Sequence, residues 1–168
     1  SNFINYFHEK YPEIKIINFD CLYYCGDKDN IKKEIQESKN YEFIEGNLDS
    51  YDLLKNIFMK NKISHVLHFA AQSHVQNSFS DALQYTKDNI VGTHNLLEIN
   101  RIYNPNLVKF VHVSTDEVYG DSMNSIDELK KTEHSVLCPT NPYAATKAGA
   151  ELISQSYNHS FKMPIIIT

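Results

Sequence analysis

The chain has 168 residues, 42% of them hydrophobic and 12% aromatic, which fits one globular domain with a single core. Its formal net charge is −5 and its longest basic run is two residues, which excludes nucleic-acid binding through clustered Lys and Arg. A membrane span is not expected, because no apolar run approaches roughly 20 residues.

The cysteine content predicts a reducing compartment. The three cysteines are Cys21, Cys25 and Cys138, and an odd number in a chain of this size does not indicate a disulfide framework. We therefore expect a cytoplasmic protein, and the first residues lack the basic and apolar blocks of a signal peptide. Cys21 and Cys25 could form half of a zinc site, but no second pair stands at a ligand spacing, so no metal is predicted.

Predicted strands and helices alternate along the chain. Continuous apolar runs predict strands at 14–19, 41–45, 63–69, 107–113 and from 164 onward. Helical periodicity and capping residues predict helices at 1–9, 27–38, 50–60, 81–100 and 141–160. This alternation indicates an α/β fold with a doubly wound, Rossmann-like parallel sheet covered on both faces. An α/β barrel alternates similarly, but the polar turns after successive strands favour one shared nucleotide site.

Histidines within the predicted strands are expected to be core residues without a catalytic role. They are His65, His68 and His112. His74 follows a strand instead, and it has two interpretations: a contact to a substrate diphosphate or sugar, or an ordinary loop histidine.

A dinucleotide-binding fold would be incomplete in this sequence. Such a fold opens with a strand and a Gly-rich turn, and an acidic residue follows about 20 residues later. Asp20 would be that acid, which predicts that the first strand and its glycines precede Ser1. In strand order 3-2-1-4-5-6 the missing strand lies mid-sheet, so residues 1–168 are expected to be part of an NAD-binding domain.

Residues after three predicted strands are candidates for holding the cofactor. A carboxylate at Asp20 can accept hydrogen bonds from a ribose diol and would repel a 2′-phosphate, which favours NAD over NADP, although a plain turn Asp is an equal alternative. Asn47 and Leu48 could flank an adenine. Ala70 and Ala71 supply small side chains where backbone approaches a cofactor closely.

The stretch from the fourth complete strand to the last helix carries the predicted chemistry. Ser114, Thr115, Asp116 and Glu117 follow the strand, and Tyr143 and Lys147 lie one helical turn apart. The Tyr-x-x-x-Lys spacing occurs five times in the chain, so the spacing alone predicts little. The pair at 143 and 147 is selected because it opens a helix after a strand that ends in Ser-Thr.

These side chains suit an oxidation coupled to an elimination. A tyrosine phenol, with a free pKa near 10, is a poor base at neutral pH unless a positive charge such as the Lys147 ammonium favours the phenolate. Tyr143 could then take a proton from a sugar hydroxyl that Thr115 positions. Adjacent acids are often only solvated loop charge, but beside Thr115 in a cleft Asp116 and Glu117 could act as one acid and one base.

The chain resembles the nucleoside-diphosphate-glucose 4,6-dehydratases of the extended short-chain dehydrogenase/reductase superfamily. The segments that carry the resemblance are Asn18 to Asp20, Tyr41 to Asn47, His68 to Val75, Asn89 to Thr93, Ser114 to Gly120 and Pro142 to Ala148. The resemblance implies that Tyr143 removes the C4 hydroxyl proton while NAD takes the C4 hydride. It further implies that Glu117 abstracts the C5 proton and Asp116 protonates the leaving C6 hydroxyl, giving a 4-keto-6-deoxy sugar.

The resemblance also implies binding residues and an assembly. Residues expected to contact NAD are Asp20, Asn47, Leu48, Phe69, Ala70, Ala71, Ser73, Lys87, Ser114, Tyr143 and Lys147. Residues expected to contact the nucleotide sugar are Ser73, His74 and Thr115. A homodimer is expected through the helices at 81–100 and 141–160, and a C-terminal substrate domain is expected outside this sequence.

Two other functions fit parts of the pattern. An NAD-dependent epimerase or decarboxylase of nucleotide sugars would use the same Tyr and Lys, but neither reaction needs Asp116 to expel the C6 hydroxyl. A non-catalytic dinucleotide-binding module would have no use for Thr115, Tyr143 and Lys147 together. The sequence does not distinguish a TDP-linked from a UDP-linked substrate.

Overall fold

The computed structural model describes residues 1–121 and 130–168, which form two compact units, Ser1–Asn47 and Leu48–Thr168. Strands are parallel in both units, so the predicted α/β class with parallel sheets is confirmed. In the described ranges, each helix is too short or too polar to span a lipid bilayer.

The first unit is built on a two-stranded sheet. Its elements are α1 (Asn2–Lys10), β1 (Ile16–Asp20), a 3₁₀ turn (Lys28–Asn30), α2 (Lys33–Gln36) and β2 (Tyr41–Glu45). β1 and β2 pair from Ile16 opposite Tyr41 to Asp20 opposite Glu45. Asp20 therefore stands at the carboxyl end of its strand, as the apolar run before it predicts.

The prediction of one continuous helix at 27–38 is wrong. Asp27 does act as an N-cap, because its carboxylate accepts from a backbone N–H two residues on, at 2.9 Å. The helix nevertheless breaks at Ile31, which is extended and only 4% exposed. The side chain of Gln36 donates to the carbonyls of Lys28 and Ile31 at 3.1 and 2.7 Å. Burial of one apolar side chain and satisfied carbonyls thus outweigh helix continuity.

The second unit is built on a three-stranded sheet in the order β3-β4-β5. Its strands are β3 (His65–His68), β4 (Lys109–His112) and β5 (Ile165–Ile167), and its helices are α3 (Tyr51–Lys60), α4 (Val75–Ser80), α5 (Ala82–Tyr85), α6 (Gly92–Tyr103) and α7 (Pro142–Phe161). Phe110 on the middle strand is fully buried, as are Leu97, Ile99 and Ala144 on α6 and α7. The core therefore lies between the central strand and these two helices.

The strand β3 is less buried than its apolar sequence predicts. His68 and His112 are buried, as expected, but His65 is exposed and the prediction of a core role for it is wrong. β3 is an edge strand of its sheet, and side chains alternate between its two faces. His65 shares a face with Leu67, which is 40% exposed, so one face of β3 lacks the cover that the prediction assumed.

The long helix predicted at 81–100 is interrupted. A π-helical turn, Thr86–Val91, separates α5 from α6, and α4 precedes both without having been predicted. Within the π turn Asn89 is 1% exposed and directed into the unit. After it Gly92 lies so close to Leu48 that an added Cβ would stand 3.0 Å from the leucine side chain. Such turns hold one extra residue and are frequent at functional sites.

Candidate functional site

The turn after β4 fixes the first set of candidate residues. Thr115 is extended, and its hydroxyl accepts from the backbone N–H of Glu117 at 3.3 Å, which caps a 3₁₀ turn at Asp116–Tyr119. Val118 anchors this turn because it is 1% exposed. Asp116 is exposed and Glu117 is half-buried. The turn therefore presents two carboxylates that differ in their contact with water.

Gly120 ends the turn in a conformation that other residues rarely adopt. Its φ is +86°, and an added Cβ would clash with the carbonyl oxygen of Cys138. The N–H of Cys138 in turn donates to the Val118 carbonyl at 2.9 Å. This close approach holds the acidic turn beside the segment that leads into α7.

The first turn of α7 supplies the second set. Asn141 is the N-cap, its side-chain oxygen accepting from the Ala144 N–H at 2.8 Å, and Pro142 occupies the first helical position. The amide nitrogen of Asn141 donates to Glu117 Oε2 at 2.9 Å. Tyr143 follows at 8% exposure. The start of α7 is thus tied to the acidic turn.

The pKa of Tyr143 is set by burial and by the residues of the acidic turn. Burial raises the pKa of the Tyr143 phenol above 10, and the polar side chain of Thr115 opposes that rise. The negative charges of Glu117 and Asp116 raise the pKa further. Without a positive charge beside it, Tyr143 therefore holds its proton, and the phenolate that a base requires must be stabilised by a cation.

Lys147 is the buried cation of the site. It is 4% exposed, and its ammonium donates to the Val113 carbonyl at the end of β4, at 2.5 Å. Burial lowers the pKa of Lys147 to about 8, and the carboxylate of Glu151, one turn further along α7, works against that fall. Glu151 is itself buried and accepts from the Ser114 hydroxyl at 2.9 Å. A buried carboxylate one helical turn away thus partly offsets the effect of burial on the predicted catalytic lysine.

Two buried histidines lie within electrostatic reach of Lys147. The rings of His68 and His112 are 5.2 Å apart, and burial lowers the pKa of both, to about 4 for His112. The positive charge of Lys147 lowers both pKa values further. His68 hydrogen-bonds Thr93 at 2.8 Å, whereas neither ring nitrogen of His112 has a partner among the described residues. Both rings stay neutral at physiological pH.

Asn89 fixes the loop after β3 to α7. Its side chain accepts from the Gln72 N–H at 2.7 Å and donates to the Gln72 carbonyl at 3.0 Å and to Thr146 at 2.9 Å. Thr146 lies between the two predicted catalytic residues of α7. The loop carrying Ala70 and Ala71, both predicted to contact a cofactor, is therefore fixed to α7.

The remaining predicted residues of the second unit lie around this loop. Phe69 is 56% exposed, and Ser73 and His74 are exposed at the start of α4, which packs on α7. His74 caps α4 through Nδ1, and its carbonyl accepts from the Tyr85 hydroxyl at 2.6 Å.

Lys87 and Leu48 occupy contrasting environments in the same unit. Lys87 is exposed within the π turn, where a cationic side chain can reach solvent or a ligand. Leu48 is buried, and its carbonyl accepts from the Asn95 side chain at 3.0 Å. An adenine contact by Leu48 would therefore involve little of its side chain.

Asp20 and Asn47 belong to the first unit. The exposed Asp20 accepts from the Leu22 N–H through Oδ1, at 2.8 Å, and lines a shallow depression with Asn18 and Phe43. Asn47 donates to the Tyr23 hydroxyl at 2.7 Å. One oxygen of the Asp20 carboxylate is thus bonded within its own turn. A carboxylate at the end of a parallel strand has the chemistry expected of a group that binds a ribose diol.

Residues that sequence reasoning missed are those that join elements. Asn141, Glu151 and Asn89 each contact a partner at least 17 residues away in sequence. An Asn-Pro pair before a helix predicts an N-cap at Asn141, but it does not predict the hydrogen bond from Asn141 to Glu117. Within residues 1–121 and 130–168, no cluster of three His, Cys, Asp or Glu side chains is placed to bind a metal.

The parallel sheets, covered by helices, define a Rossmann-like protein, and Thr115, Tyr143 and Lys147 lie together in its second unit. The family model described as GDP-mannose 4,6 dehydratase matches residues 1–168, so the chain belongs to that family. It is 47% identical to a dTDP-D-glucose 4,6-dehydratase of Dictyostelium discoideum, over 97% of this chain and 38% of the relative.

Two further comparisons agree with this assignment. A trifunctional UDP-glucose 4,6-dehydratase/epimerase/reductase of Arabidopsis thaliana is 42% identical over 100% of this chain and 25% of its own length. The crystal structure of a dTDP-glucose 4,6-dehydratase from Streptomyces venezuelae, solved with NAD bound, matches with a TM-score of 0.83. Its identity is 34%, over 95% of this chain and 47% of that chain. The chain therefore spans less than half the length of each of these proteins.

Proposed function

We propose that this chain is the NAD-binding, catalytic part of a nucleoside-diphosphate-glucose 4,6-dehydratase. The observation that carries the proposal is that one 3₁₀ turn presents Thr115, Asp116 and Glu117, and that Asn141 bonds this turn to the start of the helix that carries Tyr143. A hydride-transfer enzyme that only oxidises or epimerises needs the tyrosine and not the two acids. An enzyme that must also eliminate water needs both.

The residues present fit a dinucleotide. The exposed Asp20 carboxylate can accept from a ribose diol, and the small side chains of Ala70 and Ala71 allow a close approach to backbone. Residues proposed to hold NAD are Asp20, Asn47, Leu48, Phe69, Ala70, Ala71, Ser73, Lys87, Ser114, Tyr143 and Lys147. Bound NAD would accept a hydride from C4 of the sugar and return it to C6.

Tyr143 begins the reaction by taking the C4 hydroxyl proton. The polar side chain of Thr115 favours the phenolate of Tyr143, and its hydroxyl can position that sugar hydroxyl. Since burial and two carboxylates keep the phenol protonated, the Lys147 ammonium, together with the positive nicotinamide ring of a bound cofactor, is needed to favour the phenolate. Lys147 keeps most of its charge at neutral pH because its pKa is about 8.

Glu117 and Asp116 divide the elimination. Glu117 is half-buried and fixed by Asn141, which suits a base that must meet the C5 proton in one position. Asp116 is exposed and can regain a proton from water after giving one to the departing C6 hydroxyl. Its carboxylate accepts from the Thr115 hydroxyl at 3.3 Å, so the acid and the residue that positions the sugar are adjacent.

Substrate class and assembly are part of the same proposal. Relatives are named for dTDP-glucose and UDP-glucose, and Ser73, His74 and Thr115 are proposed to contact the nucleotide sugar. A cytoplasmic homodimer is proposed through the helices at 81–100 and 141–160. Exposed apolar side chains on these helices support it: Leu83, Val91, Leu152 and Phe161, at 44–79% exposure. A monomer in sedimentation at micromolar concentration would contradict the dimer.

The test is to incubate the complete protein with NAD and either TDP-glucose or UDP-glucose and to follow the 4-keto sugar by its absorbance in base. We expect product from at least one of them. Interconversion of glucose and galactose forms without dehydration would indicate an epimerase. Binding of NAD without turnover of any nucleotide sugar would indicate a non-catalytic module.

A further inference from the structure

Asn141 contacts two elements with the two ends of one amide. Its Oδ1 accepts from the Ala144 N–H at 2.8 Å, and its Nδ2 donates to Glu117 Oε2 at 2.9 Å. These partners fix the orientation of the amide, because the reverse orientation would set oxygen against a carboxylate and NH₂ against an N–H. The helix cap and the contact to Glu117 are therefore made by the same rotamer.

Glu117 is held at both its backbone and its carboxylate. The N–H of Glu117 donates to the Thr115 hydroxyl at 3.3 Å, and the carbonyl of Glu117 accepts from the Gly120 N–H at 3.1 Å. A glutamate side chain has three rotatable bonds, so a fixed backbone alone would leave the carboxylate several positions. The bond from Asn141 to Oε2 restricts those positions and leaves Oε1 for proton abstraction.

Asp116 lacks this connection. Its carboxylate is exposed and accepts from the neighbouring Thr115 hydroxyl, within the same turn. Among the described residues, Asn141 thus links one of the two acids, and not the other, to the helix that carries Tyr143. The two carboxylates are adjacent in sequence, but among the described residues Glu117 is the one whose carboxylate accepts a side-chain hydrogen bond from helix α7's N-cap.

We propose that Asn141 is a positioning residue, which holds the Glu117 carboxylate in register with Tyr143 for removal of the C5 proton. This inference rests on the proposed dehydratase function. It assigns Asn141 to the step after C4 oxidation: the C5–H bond breaks, its proton goes to Glu117, and its electron pair goes into the sugar, which expels the protonated C6 hydroxyl as water. Asn141 takes no part in oxidation at C4.

The test compares variants of the complete protein that keep the cap and differ in the second bond. Asn141→Ser retains an N-cap side chain but is too short to reach Glu117. Removing one hydrogen bond to a charged group should lower kcat by about 10- to 100-fold, with the KM for the nucleotide sugar nearly unchanged. In a single turnover, NADH absorbance should form at the normal rate and persist, and deuterium from solvent should enter C5 more slowly.

Two controls separate positioning from folding. Asn141→Asp also keeps the cap but places a carboxylate against Glu117. Deuterium from solvent should therefore enter C5 of the sugar still more slowly in this variant. Thermal unfolding midpoints and helix content of both variants should match those of the unsubstituted protein. In a Glu117→Gln background, Asn141→Ser should cause little further loss, because the group it positions has already been removed.

Each other result decides against the inference. If NADH formation and C5 exchange slow together in Asn141→Ser, the residue acts through helix α7 and Tyr143. If neither slows, the bond to Glu117 has no role in catalysis. Failure of the unsubstituted protein to dehydrate any nucleotide sugar would refute the proposed function itself, and this is seen before any variant is made.

Discussion

At the two ends of helix α7 the surroundings shift pKa values in opposite senses, toward neutral pH at its start and away from neutral pH near its end. At its start Lys147 is 4% exposed, and burial lowers its pKa to about 8. Near its end Tyr157 donates to Glu98 at 2.7 Å, and Arg101 binds the same carboxylate at 2.6 and 2.8 Å. These bonds, with that from Arg101 the strongest, lower the pKa of Glu98 to about 2.

The contrast separates a reactive arrangement from a structural one. Desolvation without a close counter-charge brings a protonation equilibrium toward neutral pH, where a proton can move during catalysis. Direct pairing moves the equilibrium away from neutral pH and fixes the charge. Tyr157 shows the second effect as well, since burial and the bond to Glu98 raise its pKa to about 12.

The largest effect should follow from Tyr143→Phe in the complete protein. Without the phenol no base starts C4 oxidation, so kcat should fall to or beyond the upper end of the about 10²–10⁴-fold range for acid–base catalysis. The ring still fills its place, so substrate binding should be largely kept. Rapid mixing should show no NADH absorbance. If NADH forms at the usual rate, Tyr143 is not the base for C4 oxidation.

Asp116→Asn should give a comparable or smaller loss with a different signature. The amide keeps the shape but cannot protonate the C6 hydroxyl, so turnover should fall by about 10²–10⁴-fold. NADH absorbance should rise and then persist, because C4 oxidation precedes the blocked step. Normal dehydration would show that Asp116 is not the acid, and absence of NADH would assign it to binding or oxidation.

Glu151→Gln tests what holds the charge on Lys147. The Glu151 carboxylate opposes the effect of burial, so its removal should lower the Lys147 pKa from about 8 toward neutrality. A fall of one pH unit in that pKa would leave about fivefold fewer protonated lysines at pH 8 and far less change near pH 6. The basic limb of the kcat–pH profile should therefore move to lower pH. An unmoved limb would mean that Lys147 does not control it.

Glu98→Gln should have the smallest effect and should leave kcat unchanged. Because the folded-state pKa of Glu98 lies below its ordinary value of 4.5, the stability it provides is present above about pH 4.5 and lost as pH falls toward 2. The carboxylate is partly exposed, so the loss at pH 7 should be only about 0.5–1 kcal/mol. Denaturant unfolding at two salt concentrations measures it. A change in kcat would show that the charges near the end of α7 affect the reaction at its start.

The sequence predicts most of the elements and none of the connections between them. Apolar runs locate the five strands of the described residues, and the pattern around the turn after β4 selects Thr115, Tyr143 and Lys147, whose side chains the structure brings into one region. The bond from Asn141 to Glu117 spans 24 residues, and no local pattern encodes a partner at that distance. The roles of these residues in catalysis stay predictions.

Errors in the predicted fold have local physical causes. Exposure of His65 depends on what packs against its face of β3, and an apolar run does not contain that information. The break at Ile31 arises because burial of its side chain competes with helix propensity. In each case tertiary contacts outweigh a preference that holds for an isolated segment.

The π turn at Thr86–Val91 has a consequence for how this sequence can change length. Successive residues of an α-helix are rotated by about 100°, so one inserted residue would rotate everything beyond it by that angle. Beyond the turn, Thr93, Leu97 and Asn100 all lie on the buried face of α6. A π turn takes up an extra residue within one wider turn, so the helical segments on either side keep their alignment. A helix built in this way can gain or lose one residue at the turn while the same face of α6 stays buried.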